Sequence, residues 1–337
     1  MTGPKNTLSP SRRLRWLIVG YGRVGRCHAA ALDLLDHAAL SGIVTREPAD
    51  SLSLAAKTAR GISVYDNLAQ ALSVTKPDAV IIATPHHTHR ELALEALQAG
   101  VAVLCEKPAG CSASDAETLV AAATRQRIPL GVVLNQRANP HCIWLQQKIA
   151  QGALQCVNVS IRGALGRMSG WNTEAKLSGG GLLRTVGIHY LDLLRYFFGE
   201  PVAVSGQLVD STARRAGVDD TLALCTRHTQ GGHSVLATLT LSATAERGAG
   251  PVVIEIEARE GRLRMRGAEI EWAEGIEPPP PSPPVPAGLV YGPGHLGILR
   301  AANAALLAGG DFPLSLVDHL PLLRQIDALY RANAATL

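Results

Sequence analysis

The stretch "WLIVGYGRVGRCHAAAL", residues 16–32, runs from an unbroken apolar segment through three glycines into a helix-forming segment. Gly20, Gly22 and Gly25 stand in the order G-x-G-x-x-G, between an apolar strand and a helix, where a dinucleotide-binding turn places them. In such a turn the first glycine permits the tight reversal, the second lets a pyrophosphate approach the backbone, and the third lets helix and sheet pack closely. The helix start then offers backbone N–H groups and a positive dipole end to phosphate.

Working outward, short β-rich runs alternate with helical stretches as far as about Leu134. The runs are "RWLIVG", "LSGIVT", "ISVY", "AVIIATP", "VAVLCE" and "PLGVVLNQ"; "HAAALDLLDH", "RELALEALQAG" and "SDAETLVAAATRQR" lie between them. Alternation of this kind predicts βαβ units, a parallel sheet and helices on both faces, a doubly wound α/β Rossmann domain. Thr88 and Glu91 have the spacing of a capping box at the start of one helix, and Gly100 closes it. After Leu134 the rhythm changes to strands joined by turn signals, with "TQGGH" and "REGR" as hairpin turns, which predicts an α+β C-terminal domain with a large open, mostly antiparallel sheet. The expected division is residues 1–134 for the dinucleotide and 135–337 for substrate and oligomerisation, with the final helix packing back on the first domain. "EPPPPSPPVPAG", residues 277–288, reads as an extended polyproline connector.

Composition narrows the function classes. A chain of 337 residues with 47% apolar and 18% charged residues has ample material for two cores. Its 32 basic and 28 acidic residues give a net charge of +4 with no concentrated basic stripe, so nucleic acid is not an expected partner. No apolar run reaches the roughly 20 residues of a membrane span. "SRRLRWLIVG" has the look of a twin-arginine export signal, but cleaving it would remove the first strand, so a cytoplasmic location is expected. Six cysteines without paired metal spacing fit a reducing compartment. "TPHHTH" brings three histidines together without an acid or cysteine ligand set, so no metal is expected.

Two further signals carry chemistry. An NAD site usually offers an acid about 20 residues past the glycines, to hold the ribose 2′-hydroxyl. Here Thr45 and Arg46 occupy that place, followed by Glu47. A hydroxyl beside a guanidinium suits a 2′-phosphate, which favours NADP over NAD. "VAVLCEKPAG", residues 101–110, is an apolar run that ends on Glu106, Lys107 and Pro108. A core strand can end on a lysine if that end opens onto the crevice where a doubly wound sheet binds its ligand.

"GYGRVGRCHAAAL", "AVIIATPHHTHRELALEAL", "VLCEKPAG" and "GGGLLRTVGIHYLDLLRYFFGEP" lie in the order and spacing of the glucose-fructose oxidoreductase / inositol dehydrogenase / rhizopine-catabolism (Gfo/Idh/MocA) family, which the chain resembles from Leu14 onward. The resemblance implies a nicotinamide-dependent oxidoreductase acting on a sugar, cyclitol or sugar nucleotide, assembled as a homodimer or homotetramer through the open face of the second sheet. It implies that Lys107 points at the reacting hydroxyl or carbonyl, that the Lys107–Pro108 peptide is often cis, that His189 is the catalytic histidine and that Asp192 orients it. It places Gly20, Gly22, Arg23, Val24, Gly25, Thr45, Arg46, Ala83, Thr84, Pro85, His87, Glu106 and Lys107 around the cofactor. Arg137 and Trp171 could line the substrate pocket or be structural, and Asp219 and Asp220 read as a turn before a strand.

Helical spacing puts Thr185, His189 and Asp192 on one face. A near-neutral histidine there can accept an alcohol proton while an ammonium stabilises the developing alkoxide. Thr185 departs from the family pattern, in which many members carry an acid at that position. A threonine can hydrogen-bond a sugar hydroxyl but cannot share a proton, which leaves the proton duty to His189 and Lys107. Two other readings stay open: a redox-neutral enzyme that oxidises a sugar transiently with tightly held nicotinamide, and a non-catalytic NADP(H) sensor.

Overall fold

The computed structural model of the chain describes residues 12–46, 57, 60–212, 217–246, 249–267, 269–271, 279, 281, 284–335 and 337. Residues 277, 278, 280, 282 and 283 of the proline-rich stretch 277–288, and Glu47, lie outside the described residues.

The apolar runs of the first half become six parallel strands: β1 Leu14–Val19, β2 Ala38–Val44, β3 Val64–Tyr65, β4 Ala79–Ile82, β5 Ala102–Glu106 and β6 Leu130–Val133. Their spatial order is β3-β2-β1-β4-β5-β6, with the order reversing between β1 and β4. Every residue of β4, β5 and β6 is buried, as strands covered on both faces must be. The covering helices are α1 Arg23–Leu32, α2 Leu68–Thr75, α3 His86–Gln98 and α4 Ala113–Gln126. Ser112 caps α4 by accepting from Asp115 N.

Helix α3 departs from the expected capping box. It starts at His86, with Pro85 rather than a side-chain acceptor at its N-cap. The Thr88 hydroxyl donates instead to Thr84 Oγ1 and the Pro85 carbonyl, so a proline-led first turn replaces the box. Gly100 does end the helix, at φ +78°.

The second half forms a seven-stranded sheet: β7 Cys156–Gly166, β8 Ala203–Val209, β9 Thr221–Gln230, β10 His233–Ala245, β11 Val253–Ala258, β12 Gly261–Arg266 and β13 Glu269–Glu271, in the order β13-β12-β11-β7-β10-β9-β8. The hairpin turns fall at Gly231-Gly232 and at Glu260, as read. One pair, β7 with β10, is parallel. These two strands are not consecutive, because the chain between them crosses the sheet and returns through β8 and β9. Helices α5 Pro140–Ala150 and α6 Ile188–Phe198 supply much of this half's helical layer.

The last two helices, α7 Gly294–Leu307 and α8 Leu316–Ala332, return to the first sheet. Asn303 on α7 accepts from the fully buried Trp16 indole at 2.9 Å, and its amide donates to His37 O at 3.2 Å. Leu289, Ile298 and Leu299 join the core formed by Trp16, Ile18 and Ile81. On the other face, Arg324 of α8 pairs with Glu117 of α4, while Asn333 just beyond α8 accepts from Leu208 N on β8. The two sheets are thus joined by the C-terminal helices as well as by the direct chain connection.

Candidate active site

The glycine turn has the geometry its sequence demands. Gly20 sits at φ +93°, and a Cβ there would lie 2.6 Å from the Ala83 carbonyl oxygen. A Cβ on Gly25 would lie 2.0 Å from Gly20 O, so only glycine lets α1 approach β1. Gly22 has no heavy atom within 4 Å of its would-be Cβ, and no side chain caps α1. That open face at a helix start is the cradle a dinucleotide pyrophosphate needs, so the residues fit the cofactor that the fold implies.

Arg23 and Val24 open α1; the Arg23 guanidinium lies 4.9 Å from the Tyr291 ring centroid. Thr45 follows β2 and donates its backbone N–H to Tyr65 O, with exposed Arg46 beside it. Ala83, Thr84 and Pro85 follow β4 at the switch point, with His87 exposed on the first turn of α3. The fully buried His89 ties this loop to the next one, since its two ring nitrogens lie 2.7 Å from Thr84 O and 2.7 Å from Pro108 O.

At the end of β5, Lys107 precedes Pro108 through a cis peptide bond. The Lys107 Nζ donates a short hydrogen bond to the carbonyl of Thr185, which brings an amine from the first sheet onto the segment that carries His189. Burial lowers Lys107 to about 8, against the opposing pull of Glu106. Residues Leu183–Gly187 form a π-helical turn that leads into α6, a widening often found at functional sites. His189 Nδ1 is buried and has no hydrogen-bond partner. Burial, then the charge of Lys107, holds its pKa well below the ordinary 6.5, so the ring is neutral at pH 7 and able to accept a proton.

Four expected roles change. Asp192 does not meet His189: its carboxylate accepts from Arg137 Nε at 2.8 Å and from Arg137 Nη2 at 2.7 Å. The π turn alters the register between Thr185 and His189, whereas His189 and Asp192 both lie within α6, where Arg137 draws the carboxylate to itself. Arg137, also 5.2 Å from the Tyr196 ring, is therefore fixed by protein groups rather than left to line a pocket. The Thr185 hydroxyl donates to Gly181 O, so it is the backbone of Thr185, not its side chain, that meets Lys107. Asp219 is more than a turn residue, since it accepts from Leu183 N and from the Tyr330 hydroxyl beneath the Gly-rich segment. A Cβ on Gly181 would lie 2.0 Å from Asp219 O, which accounts for glycine there.

Trp171 sits in a short 3-10 turn, Gly170–Thr173, with its ring 4.5 Å from that of His86. His86 itself bonds Ser178 O through Nδ1. A second group lies under Glu106, whose Oε1 accepts from His28 Nε2 at 2.7 Å and lies 3.5 Å from His295 Nε2. Sequence reading singled out neither histidine, because nothing in the spacing of positions 28, 106 and 295 announces a contact. Burial alone would raise Glu106, but His28 and His295 outweigh it and hold the carboxyl well below the usual range. These donor types suit a metal ion, yet His28 Nδ1 lacks the hydrogen-bond partner that orients a ligating histidine.

Comparison with known proteins matches the geometry. Residues 14–133 fit the model described as the oxidoreductase family with an NAD-binding Rossmann fold, and residues 145–264 fit the GFO/IDH/MocA C-terminal domain. The chain is 31% identical to D-apiose dehydrogenase of Paraburkholderia graminis, over 96% of this chain and 88% of that one. It is 28% identical to the NADP(+)-dependent scyllo-inositol 2-dehydrogenase IolW of Bacillus subtilis, over 60% of this chain and 56% of that one. In fold it is similar to the WlbA dehydrogenase of Bordetella pertussis in complex with NADH and UDP-GlcNAcA, with a TM-score of 0.81, 24% identity and 97% of each chain covered. A glycine cradle on one sheet, a lysine at a strand end and two matched halves across the chain lead to one assignment: it belongs to the GFO/IDH/MocA family of nicotinamide-dependent oxidoreductases.

Proposed function

We propose that this enzyme transfers hydride between NAD(P) and a hydroxyl-bearing carbon of a sugar, cyclitol or sugar nucleotide, with Lys107 and His189 as its catalytic residues. The observation that carries the reading is the bond from Lys107 Nζ to Thr185 O, which draws the amine to within four residues of His189, a neutral imidazole whose buried Nδ1 has no partner. The activities named for the relatives above are dehydrogenations, which favours this reading over a redox-neutral cycle or a sensor.

The nicotinamide, when bound, gives or accepts the hydride. His189 takes the proton of the substrate hydroxyl, because burial and Lys107 keep its ring neutral and ready to accept. Lys107, an ammonium at pH 7, donates to the same oxygen and stabilises the charge that develops on it. Arg137 and Asp192 hold α6 in place, and Trp171 with His86 walls the approach to Lys107. Gly20, Gly22, Arg23, Val24 and Gly25 hold the pyrophosphate; Thr45 and Arg46 meet the adenosine ribose and favour NADP by charge; Ala83, Thr84, Pro85, His87 and Glu106 border the nicotinamide half.

The same reading takes residues 1–134 as the dinucleotide domain and 135–337 as the substrate and oligomerisation domain. The open face of the second sheet, where Leu236 is 47% exposed, forms the homodimer or homotetramer contact. Six unbridged cysteines support a cytoplasmic location, and no helix among the described residues is long and apolar enough to cross a membrane.

The test follows reduced-nicotinamide absorbance with NAD and NADP against a panel of sugars, cyclitols and sugar nucleotides. Wild type turns over at least one member, and Lys107→Ala lowers kcat/KM on it by about a thousandfold or more while still binding the dinucleotide. Full activity in Lys107→Ala overturns the assignment.

A further inference from the structure

Chain order alone gives no reason for residue 295 to touch residue 106, yet His295 comes to rest against a carboxylate whose neighbour is the reacting lysine. The placement is built rather than incidental. Helix α7 begins at Gly294, where a Cβ would lie 2.1 Å from Asn135 O, so the backbone here is pressed against the 3-10 turn after β6. The His295 and His28 rings meet edge to face at 5.0 Å, and both direct Nε2 at Glu106 Oε1. The other carboxylate oxygen, Oε2, accepts the backbone N–H of Lys107 at 3.3 Å. One carboxylate therefore spans two imidazoles on one side and the lysine backbone on the other. Tyr291, from the same returning segment, lies 5.6 Å from His295 and supports Arg23 at the glycine cradle.

We propose that His295 is a positioning residue for Lys107, acting through Glu106: it fixes the carboxylate that sets both the placement and the charge of the amine. This rests on the reading of Lys107 as catalytic. The surrounding charges agree with it. Cys27 and His28 of α1, His86 and His89 of α3, Cys105 of β5, His189 of α6 and Tyr291 are titratable groups around Glu106 and Lys107 among the described residues; burial lowers His28, His86, His89 and His189, and burial with Glu106 raises the Cys105 thiol. For His295 burial also pulls downward, but Cys27 and Glu106 outweigh it and raise the ring to about 9. It is thus the histidine of this group that keeps a positive charge at neutral pH, and that charge bears on His189 as well.

The sign of the effect follows. Replacing His295 by neutral glutamine removes a cation while His28 still holds Glu106 ionised, so the Lys107 ammonium becomes easier to keep. Two readouts on the full chain test this. One is the pH dependence of Lys107 trinitrophenylation, followed by peptide mass spectrometry; the other is the kcat/KM profile between pH 6 and 10 on the best-used panel sugar. In His295→Gln both midpoints move up by about half a unit or more, kcat falls more than KM rises, and His295→Lys, which returns a cation, restores wild-type behaviour. In ¹⁵N-histidine-labelled wild type, at least one ring stays doubly protonated at pH 8.

A folded His295→Gln with unchanged or downward-shifted midpoints overturns the proposal. So does a wild type with every histidine neutral at pH 8, a result that needs no variant. Stoichiometric metal in purified wild type that His295→Gln loses would make the cluster a metal site and overturn it too. The labelling arm needs no turnover, so an unshifted label with Lys107→Ala inactive sinks the role of His295 alone. An active Lys107→Ala sinks the catalytic reading beneath it.

Discussion

His189 and His86 approach Lys107 without a carboxylate partner, whereas His28 and His295 meet Glu106 a residue away. All four are buried or lie in buried surroundings, and their protonation diverges. His189 and His86 are driven well below 6.5, first by burial and then by neighbouring positive charge. His295 is raised to about 9 because an acid outweighs the same penalty, and His28 stays lowered because burial outweighs the acid there. The comparison teaches that burial sets a common starting point, and that one carboxylate overcomes it at His295 but not at His28, although His28 is the nearer of the two at 2.7 Å. A site that needs both an acceptor and a cation near one lysine sets Glu106 against His295 and leaves His189 without a carboxylate partner.

The largest test of that division removes the acceptor. His189→Gln keeps the size of a polar side chain but cannot take up a proton, and kcat/KM falls by between about a hundred- and ten-thousand-fold, with dinucleotide affinity unchanged. An activity loss under tenfold in steady-state assays would mean that Lys107 handles the proton alone, and the contrast between the two histidine groups would have no catalytic meaning. A second test asks whether the Arg137–Asp192 pair belongs to neither group. Arg137→Met leaves the carboxylate of Asp192, only 1% exposed, without its partner. Breaking such a pair from one side costs about 3 kcal/mol or more, so the thermal midpoint drops clearly. If instead KM for sugar rose with the midpoint unmoved, Arg137 would be a substrate ligand after all.

Much of this site was legible in the chain, and the reasons are local. Gly20, Gly22 and Gly25 announce themselves because steric demands act within one turn, and "VAVLCE" reads as a strand because both its faces are covered. The second sheet was legible through its hairpin turns, while the parallel pairing of β7 with β10 was not, since it joins strands separated by a crossover. Asp192 was misread because its partner, Arg137, comes from the 3-10 turn after β6, a contact that helical spacing cannot show; the π turn at Leu183–Gly187 shifts only Thr185 relative to His189. His28 and His295 were invisible as a pair, since their contact through Glu106 is made only when α7 returns across the first sheet. Local steric rules wrote the cradle; long-range packing wrote the charges.

The smallest expected effect is on stability, and its sign distinguishes the acid-paired group from the unpaired one. His295 has a folded value of about 9 against an ordinary 6.5, so its contribution is fully present below pH 6.5 and is lost as pH rises through 9. Glu106 is depressed, so its contribution is present above the ordinary 4.5 and is lost as pH falls through its lower folded value. Together they stabilise the fold most between about pH 5 and 6.5, with at most about 3 kcal/mol from His295 disappearing toward pH 9.5. His189 behaves oppositely: its lowered value makes protonation below pH 6.5 destabilising, and it contributes nothing to the alkaline loss. Lys107, lowered to about 8 from an ordinary 10.5, adds stability above pH 8 and offsets part of this loss, so chemical denaturation at pH 6.5 and 9.5 should show a net drop in wild type that is smaller or reversed in His295→Gln and unaltered in His189→Gln. Equal drops in all three would show that the alkaline loss comes from groups elsewhere, and that Glu106 does not divide the histidines.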